Sequence, residues 1–382
     1  MKPERVTQNP EANDQLLYFT SSSLLSDDSR LIFLSDRTGS PNIFMRELST
    51  GKEQQLTHNK DGILKSYVYF DGTPYRGLSK AGISIDPASG SIYFIQGREI
   101  RKVTIDGTEV TLAQYPDGQM TAFTHVSEDG TLLCVPTTDA RALDGDLQLR
   151  GQPGYNIDER IRTERLSSYL RVFDTRSGEE VICERVEQSW ITHVQFAPGS
   201  RNLILYNHEW PSDCGIRRMW LFNGEKHIRL RTENNVRSRQ DWTCHEMWER
   251  DGSAIIYHGG YHNGQAYIGR VLPDGTGTVE ITLPQNYKRY GHFNVGTPGV
   301  LVSDGYYEED GDRPTSGGDW ISRIDMDWNH GKAGWLPLCR HSSSWASQDA
   351  HPHPIIDHTM TYAYFTSDVS GKRAIYRIRI SK

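Results

Sequence analysis

The sequence predicts an all-β fold, a seven-bladed β-propeller with four-stranded antiparallel blades, filling residues 1–382 as a single domain. Three observations predict it. A strand–turn–strand phrase recurs seven times along the chain. Its turns are spaced by roughly 40 to 70 residues. Hydrophobic residues are only 36% of the chain, yet nine Trp, nineteen Tyr and eleven Phe supply bulk for a core.

The first copy is "SDDSRLIFLSDRTGSPNIFMRELSTGKE", residues 26–53. A turn of Asp and Ser leads into an apolar run, then a polar loop, then another strand and turn. The phrase returns as "DPASGSIYFIQGREIRKVTIDG", "SEDGTLLCVPTT", "APGSRNLILYNHE", "RDGSAIIYHGGYHNGQAYIGRVLPDG", "GTPGVLVSDGYY" and "IIDHTMTYAYFTSDVSGKRAIYRIRI". The turns fall near residues 28, 88, 129, 199, 251, 298 and 358. Short strands with turn signals at this period read as propeller blades. One blade cannot bury both faces of its sheet, so the copies must stack in a ring.

The third interval is the longest and holds an insertion at about 140–168, "ALDGDLQLRGQPGYNIDERIRTERLSSYL". Its centre, Asp158 to Leu166, has charged helix formers after an Asn/Asp start, which predicts a short helix. Long loops on a rigid scaffold often carry function. A solvated charged loop fits the same residues.

The bulk properties exclude several classes. A net charge of −7 leaves no basic face for nucleic acid. No apolar run reaches 18 residues, so no membrane span is expected. The start, "MKPERVTQNPEANDQLL", lacks an apolar stretch that would act as a secretory signal. Cys134, Cys183, Cys214, Cys244 and Cys339 are scattered and odd in number, which suits a reducing compartment. The expectation is a cytoplasmic protein.

Used as a ruler, the repeat places histidines. His193 lies ten residues before Leu203, His245 ten before Ile255 and His353 ten before Ala363. His292 precedes Leu301 by nine and His125 precedes Leu133 by eight, a looser match. The innermost strand of each blade lines the channel, so its start sits at one mouth. The second strand is antiparallel and its end returns there. One mouth should therefore collect His193, His208, His245, His258, His292, His351 and His353. A repeated histidine that only hydrogen-bonds inside its own blade would give part of this pattern.

"QDAHPHPIID", residues 348–357, sharpens the question. Neutral imidazoles are common ligands of divalent transition metals. His-x-His on an extended segment sends both rings to one side, and each proline favours an extended residue before it. A stiff, metal-free strand start fits the spacing too. Trp345 and His341 either pack or meet a sugar. Arg217 and Arg218 of "GIRRMWLF" are either solvated charges or a bidentate carboxylate clamp. Cys244 beside His245 is a poor nucleophile candidate, because neighbours on a strand face opposite ways.

The phrases "NHEWPSDCGIRRMWLFNG", "TCHEMWERDGSAIIY", "LCRHSSSWASQDAHPHP" and "FTSDVSGKRAIYRIRI" resemble the oligogalacturonate lyases of polysaccharide lyase family 22. The resemblance is strong over about 190–382 and weaker before that, where mainly the blade rhythm matches. It implies a seven-bladed propeller with a bound divalent ion, Mn2+ in type. It also implies metal ligands at His292, Gln348, His351 and His353, a base at His245, and Arg218 on the substrate carboxylate. His193 and His208 fall on matching positions and would line the pocket with Arg217 and Trp345. The first blade departs from the family: "NDQLLYFTSSSLLSDDS" has no His or Arg before the turn.

The implied substrate is a short uronide oligosaccharide such as digalacturonate, cleaved by β-elimination. That reaction removes the weakly acidic C5 proton, expels the C4 oxygen and leaves a 4,5-unsaturated uronate. Charge on the carboxylate must be stabilised and a base near neutrality must take the proton. Two other classes stay open: a non-catalytic TolB- or WD40-like propeller that binds a protein or ligand, and a glycosidase using paired carboxylates among Glu209, Glu246, Asp304 and Asp368. A lyase for a different uronide, such as one containing glucuronate, also fits.

Overall fold

A computed structural model describes residues 2–65, 77–121, 123–143, 160–161, 163–209, 218–231, 242–261, 263–283, 291–305 and 320–381. The strands form seven antiparallel sheets in chain order around one axis. All seven turns expected from the sequence join the first and second strands of a blade. Blade 4 is typical: Val194–Phe196, Ile204–Asn207, Met219–Phe222 and His227–Arg229.

Burial explains the strand sequences. Second strands are covered by neighbouring blades on both faces and read as continuous apolar runs, as in Ile92–Gln96, "IYFIQ", wholly buried. Outermost strands alternate with solvent, as in Glu180–Glu187, "EVICERVE". The turns also pack on one another. Gly252 holds φ 71°, and a Cβ there would lie 2.9 Å from the Pro198 carbonyl oxygen of the preceding blade.

The ring closes with a strand from each end of the chain. Glu4–Arg5 pairs with Ala374–Arg379 as the outermost strand of blade 7. The Arg377 guanidinium grips both oxygens of Glu4 at 2.9 Å, and the Val6 N–H donates to the Ile375 carbonyl at 2.8 Å.

Two blades depart from the simple repeat. In blade 3 the innermost strand is split into Gln119–Met120 and His125–Val126, both paired with Leu132–Asp139. This blade carries the insertion, whose residues 144–159 and 162 lie outside the described residues. Part of the expected helix is described: Glu164 N–H donates to the Arg160 carbonyl, and Ile161 and Leu166 pack with Met120 and Trp190. In blade 1, Asp14–Leu16 is followed by an extra segment that carries Tyr18 and Phe19 into the channel. No helix among the described residues is long and apolar enough to cross a membrane.

Candidate functional site

Four histidines occupy one equivalent position. The residue opening each inner turn donates its N–H back across it: Ala197 to Leu203, Glu249 to Ala254, Gly296 to Val300 and Asp357 to Tyr362. His193, His245, His292 and His353 lie four residues before these openers, at the starts of the inner strands of blades 4 to 7. His125 does not belong to the set. Its blade opens the turn at Ser127, so Phe123 fills the slot and His125 sits two residues nearer the opposite mouth. The shorter count in that blade came from a displaced histidine rather than a different turn.

The rings converge. Centroids are 4.5 Å apart for His245 and His292, and 4.1 Å for His292 and His353. His351 lies 5.2 Å from His292 and 5.7 Å from His353. His258, at the end of the second strand of blade 5, puts Nε2 2.8 Å from Nδ1 of His245. Phe19 touches His245, His292 and His353, while Tyr18 bridges His193 and His353. This aromatic pair plugs the channel beneath the histidines. Beyond it, toward the other mouth, a cavity of about 280 Å3 is lined by Phe19, His125, Gln195, Met247 and Asn294.

His208 stays out of the group. Its ring packs on Tyr206 and Trp220, and burial pushes its imidazole down to about 3. Successive strand residues point to opposite faces, so the side chain after Asn207 turns away from the channel. Arg217 lies outside the described residues.

The backbone is strained where the rings converge. His245, His353 and Trp345 hold φ of 53°, 46° and 54°. Non-glycine residues adopt such values at a cost of order 1–3 kcal/mol, and they cluster at functional sites. His245 sits in a β-bulge, where the pairing of its strand shifts between Cys244 and Met247. Bulges re-aim side chains in this way. The expectation of two extended histidines is half corrected: His351 is extended before Pro352, with φ −71° and ψ 136°, but His353 is left-handed. Proline disfavours only the right-handed helical region for the residue before it, and this leaves the left-handed one accessible.

A ring nitrogen from each of His292, His351 and His353 lies within 4.8 Å of the other two, close enough to share a metal ion. Their surroundings fit such a role. Asp304, buried at the end of the second strand of blade 6, accepts the His292 backbone N–H and lies 3.0 Å from Nδ1 of that ring. A carboxylate there accepts a hydrogen bond from Nδ1–H, which keeps the ring proton on Nδ1 and leaves a lone pair on Nε2. Among the described residues, Nε2 of His353 and Nδ1 of His351 are buried without a hydrogen-bond partner. Lys80, from a turn preceding blade 2, places Nζ 2.6 Å from Nδ1 of His353. Its burial pushes the amine down to about 7. Gln348 is exposed and opens the short 3-10 turn Gln348–Ala350, whose carbonyl accepts the His351 N–H at 3.3 Å. Trp345 is buried, stacked on His292 at 6.0 Å and tilted against His351 at 4.4 Å. His341 is buried behind it.

Arg218 is no solvated charge. It is buried, with Nε 2.9 Å from Glu246 and Nη1 3.4 Å from Glu209. Burial opposes its charge, but Cys244, Glu246 and Glu209 outweigh it and hold the guanidinium protonated. His245 responds in the opposite sense. Burial, then the fields of His292, His258, Arg218 and His193, holds its imidazole well below 6.5 and so neutral. The carboxylates that would serve a glycosidase are already engaged. Glu209 and Glu246 hold Arg218, Asp304 holds His292, and Asp368 accepts from Ser343 and Ser344.

Sequence reasoning missed Tyr18, Phe19 and Lys80, and the partnership of Asp304 with His292. The surplus of residues between "DQLL" and the first turn was the available signal for the aromatic pair.

Fold and site together define a class: a seven-bladed propeller with a buried histidine cluster, able to hold a metal ion, in one mouth of its channel. A family model described as oligogalacturonate lyase matches residues 5–382, and the chain belongs to that family. The match extends well into the N-terminal half, where the sequence phrases alone were weak. The oligogalacturonate lyase of Dickeya dadantii (strain 3937) is 25% identical over 394 residues, spanning 95% of this chain and 89% of that protein. A solved oligogalacturonate lyase in complex with manganese gives a TM-score of 0.78 at 21% identity, covering 99% of this chain and 93% of that one. The oligogalacturonate lyase structure from Vibrio parahaemolyticus gives 0.78 at 20% identity, with the same coverage.

Proposed function

We propose that the chain is a metal-assisted lyase that cleaves short oligogalacturonates by β-elimination to 4,5-unsaturated products, with His245 as the base. One observation carries this reading. Nδ1 of His245 lies 3.0 Å from the Gly291 carbonyl oxygen and 2.8 Å from His258 Nε2. A carbonyl only accepts, so Nδ1 bears the ring proton and Nε2 is left with a lone pair. The depressed proton affinity of the ring keeps that nitrogen unprotonated. A general base has to be unprotonated when its substrate arrives.

The proposed ligand set is His292, His351 and His353, with Gln348 as an oxygen donor. Imidazole nitrogens with an amide oxygen suit Mn2+ and its neighbours in the transition series. Such a metal, when bound, supplies positive charge that neutralises the substrate carboxylate and acidifies the C5 proton. The protein's own groups do the rest. Asp304 fixes the His292 ring. Glu209 and Glu246 hold Arg218 in place as a permanent cation, which we assign to the same carboxylate. Tyr18 and Phe19 close the channel below and keep water from the base. His193 and Trp345 flank the cluster as pocket walls. The free cysteines Cys134, Cys183, Cys244 and Cys339 support a reducing compartment, the cytoplasm.

The test uses chelator-treated and Mn-reloaded protein with digalacturonate, following the absorbance of the conjugated product. Metal-dependent growth that disappears in His245→Ala supports the reading. New reducing ends without that chromophore would show hydrolysis instead.

A further inference from the structure

β-Elimination moves two protons, and the base accounts for one. The departing C4 oxygen needs the other. His193 occupies the same inner-strand position as His245, one blade away, and is set up for the opposite task.

Nδ1 of His193 lies 2.8 Å from Thr192 Oγ1, 3.0 Å from Asn207 Nδ2 and 3.5 Å from Glu209 Oε2. Thr192 Oγ1–H donates to Glu209 Oε2 at 2.7 Å, and Asn207 Nδ2–H donates to the same oxygen at 2.6 Å. The second Asn207 N–H donates to Thr192 Oγ1 at 3.0 Å, so the Thr192 hydroxyl, itself donating to Glu209, is left to accept from His193 Nδ1–H. Burial works against the charge of Glu209, but Arg218, then His193 and Thr192, hold the carboxylate ionised. The ionised Glu209 thus lies 3.5 Å behind Nδ1 of His193. The other nitrogen, Nε2, is buried and has no hydrogen-bond partner among the described residues. The ring is held flat by Phe123, with centroids 4.1 Å apart, and by Tyr18. Among the described residues, the charged and titratable groups facing His193 are Glu209, with Arg218 behind it, and His245 across the mouth.

We propose that His193 is the general acid of the reaction, with Thr192 and Glu209 as its positioning residues. This rests on the lyase reading above. His245 Nε2 takes the C5 proton, and the C5–H electron pair forms the C4=C5 double bond. The C4–O bond breaks with its electrons on oxygen, which takes the proton from His193 Nε2–H. The imidazole returns to neutrality with Nδ1–H still on Thr192, and solvent resets both histidines after product leaves.

The test compares two substrates in wild type, His193→Ala and Thr192→Val, each Mn-loaded and checked for an unchanged melting temperature and metal content. One is digalacturonate, whose leaving alkoxide needs a proton. The other is a galacturonide bearing a dinitrophenyl ether at C4, whose phenolate leaves without one. His193→Ala should lose about 10²-fold or more on digalacturonate and stay within a few-fold of wild type on the ether. Thr192→Val should lose less, in the same direction. An equal loss on both substrates, or no loss on either, overturns the acid role. A wild type that forms no unsaturated product from either substrate sinks the lyase reading itself, and the acid role with it. A variant that loses its fold is replaced by His193→Gln, which keeps the ring's volume more closely and still lacks a transferable proton.

Discussion

Asp304 holds His292 at two points: one carboxylate oxygen accepts its backbone N–H and the other lies 3.0 Å from ring Nδ1. The second oxygen also accepts the backbone N–H of His353, at 3.2 Å. One buried carboxylate therefore orients two proposed ligands from adjacent blades. Asp304→Asn can keep only one of the two backbone bonds through its single oxygen, and its amide NH2 cannot accept where the second carboxylate oxygen did, so the hold on His353 or on the His292 imidazole weakens. Removing such an outer partner costs 10- to 100-fold in metal affinity. Chelator competition measures it, and an affinity equal to wild type would separate Asp304 from the metal site.

His245 should matter for chemistry and not for loading. His245→Ala is expected to lower the rate of unsaturated-product formation by about 10²- to 10⁴-fold. Metal content, read by elemental analysis, should stay at the wild-type level. Loss of metal along with activity would make His245 a ligand rather than a base.

Phe19 is the floor of the site. It is buried, and its ring meets His245, His292 and His353. Phe19→Ala should cost about 3–5 kcal/mol of stability and loosen the metal as well. Urea unfolding gives the first number and chelator competition the second. Phe19→Leu keeps most of the volume and should recover most of both.

Stability should fall with acid in a window set by two histidines away from the metal cluster, the half-buried His125 and the buried His208. Burial pushes His125 down to about 4, against an ordinary value of 6.5. Between these values the unfolded chain binds a proton that the folded one refuses, so stability rises with pH. Acidification from 6.5 toward 4 removes about 1.4 kcal/mol per pH unit for this one group. His208, pushed down to about 3, adds a second share over a longer range. His125→Asn keeps an acceptor for the Phe196 N–H, which His125 Nδ1 now takes at 3.2 Å. Chemical denaturation at a series of pH values should show a shallower slope in that variant. An unchanged slope would mean that His125 does not stay neutral in the folded protein.

Much of the site was legible because turn residues mark register. The distance from each histidine to its Asp/Gly/Ser turn fixed a position in the inner strand, and His193, His245, His292 and His353 were found that way. The same ruler failed at His125, because blade 3 splits its inner strand and displaces the histidine by two residues. It also failed at His208, where the face of the strand, not its register, decides which way the ring points. His353 shows a third limit: a proline restricts its predecessor without selecting the left-handed conformation that the crowded mouth imposes.

The sequence by itself determined the number of blades, the order of strands and which histidines start the inner strands. These are local matters of turn chemistry, apolar runs and spacing. Only the tertiary structure decided what those histidines meet. Lys80 reaches His353 across 273 residues of chain, and Phe19 arrives under the cluster from the first blade. Asp304 and His292 pair because antiparallel strands bring their ends together, and Arg218 is caught between two glutamates by burial. Closing the ring sets these contacts. Their free energies depend on desolvation and on distances between blades, which no local pattern in the chain encodes.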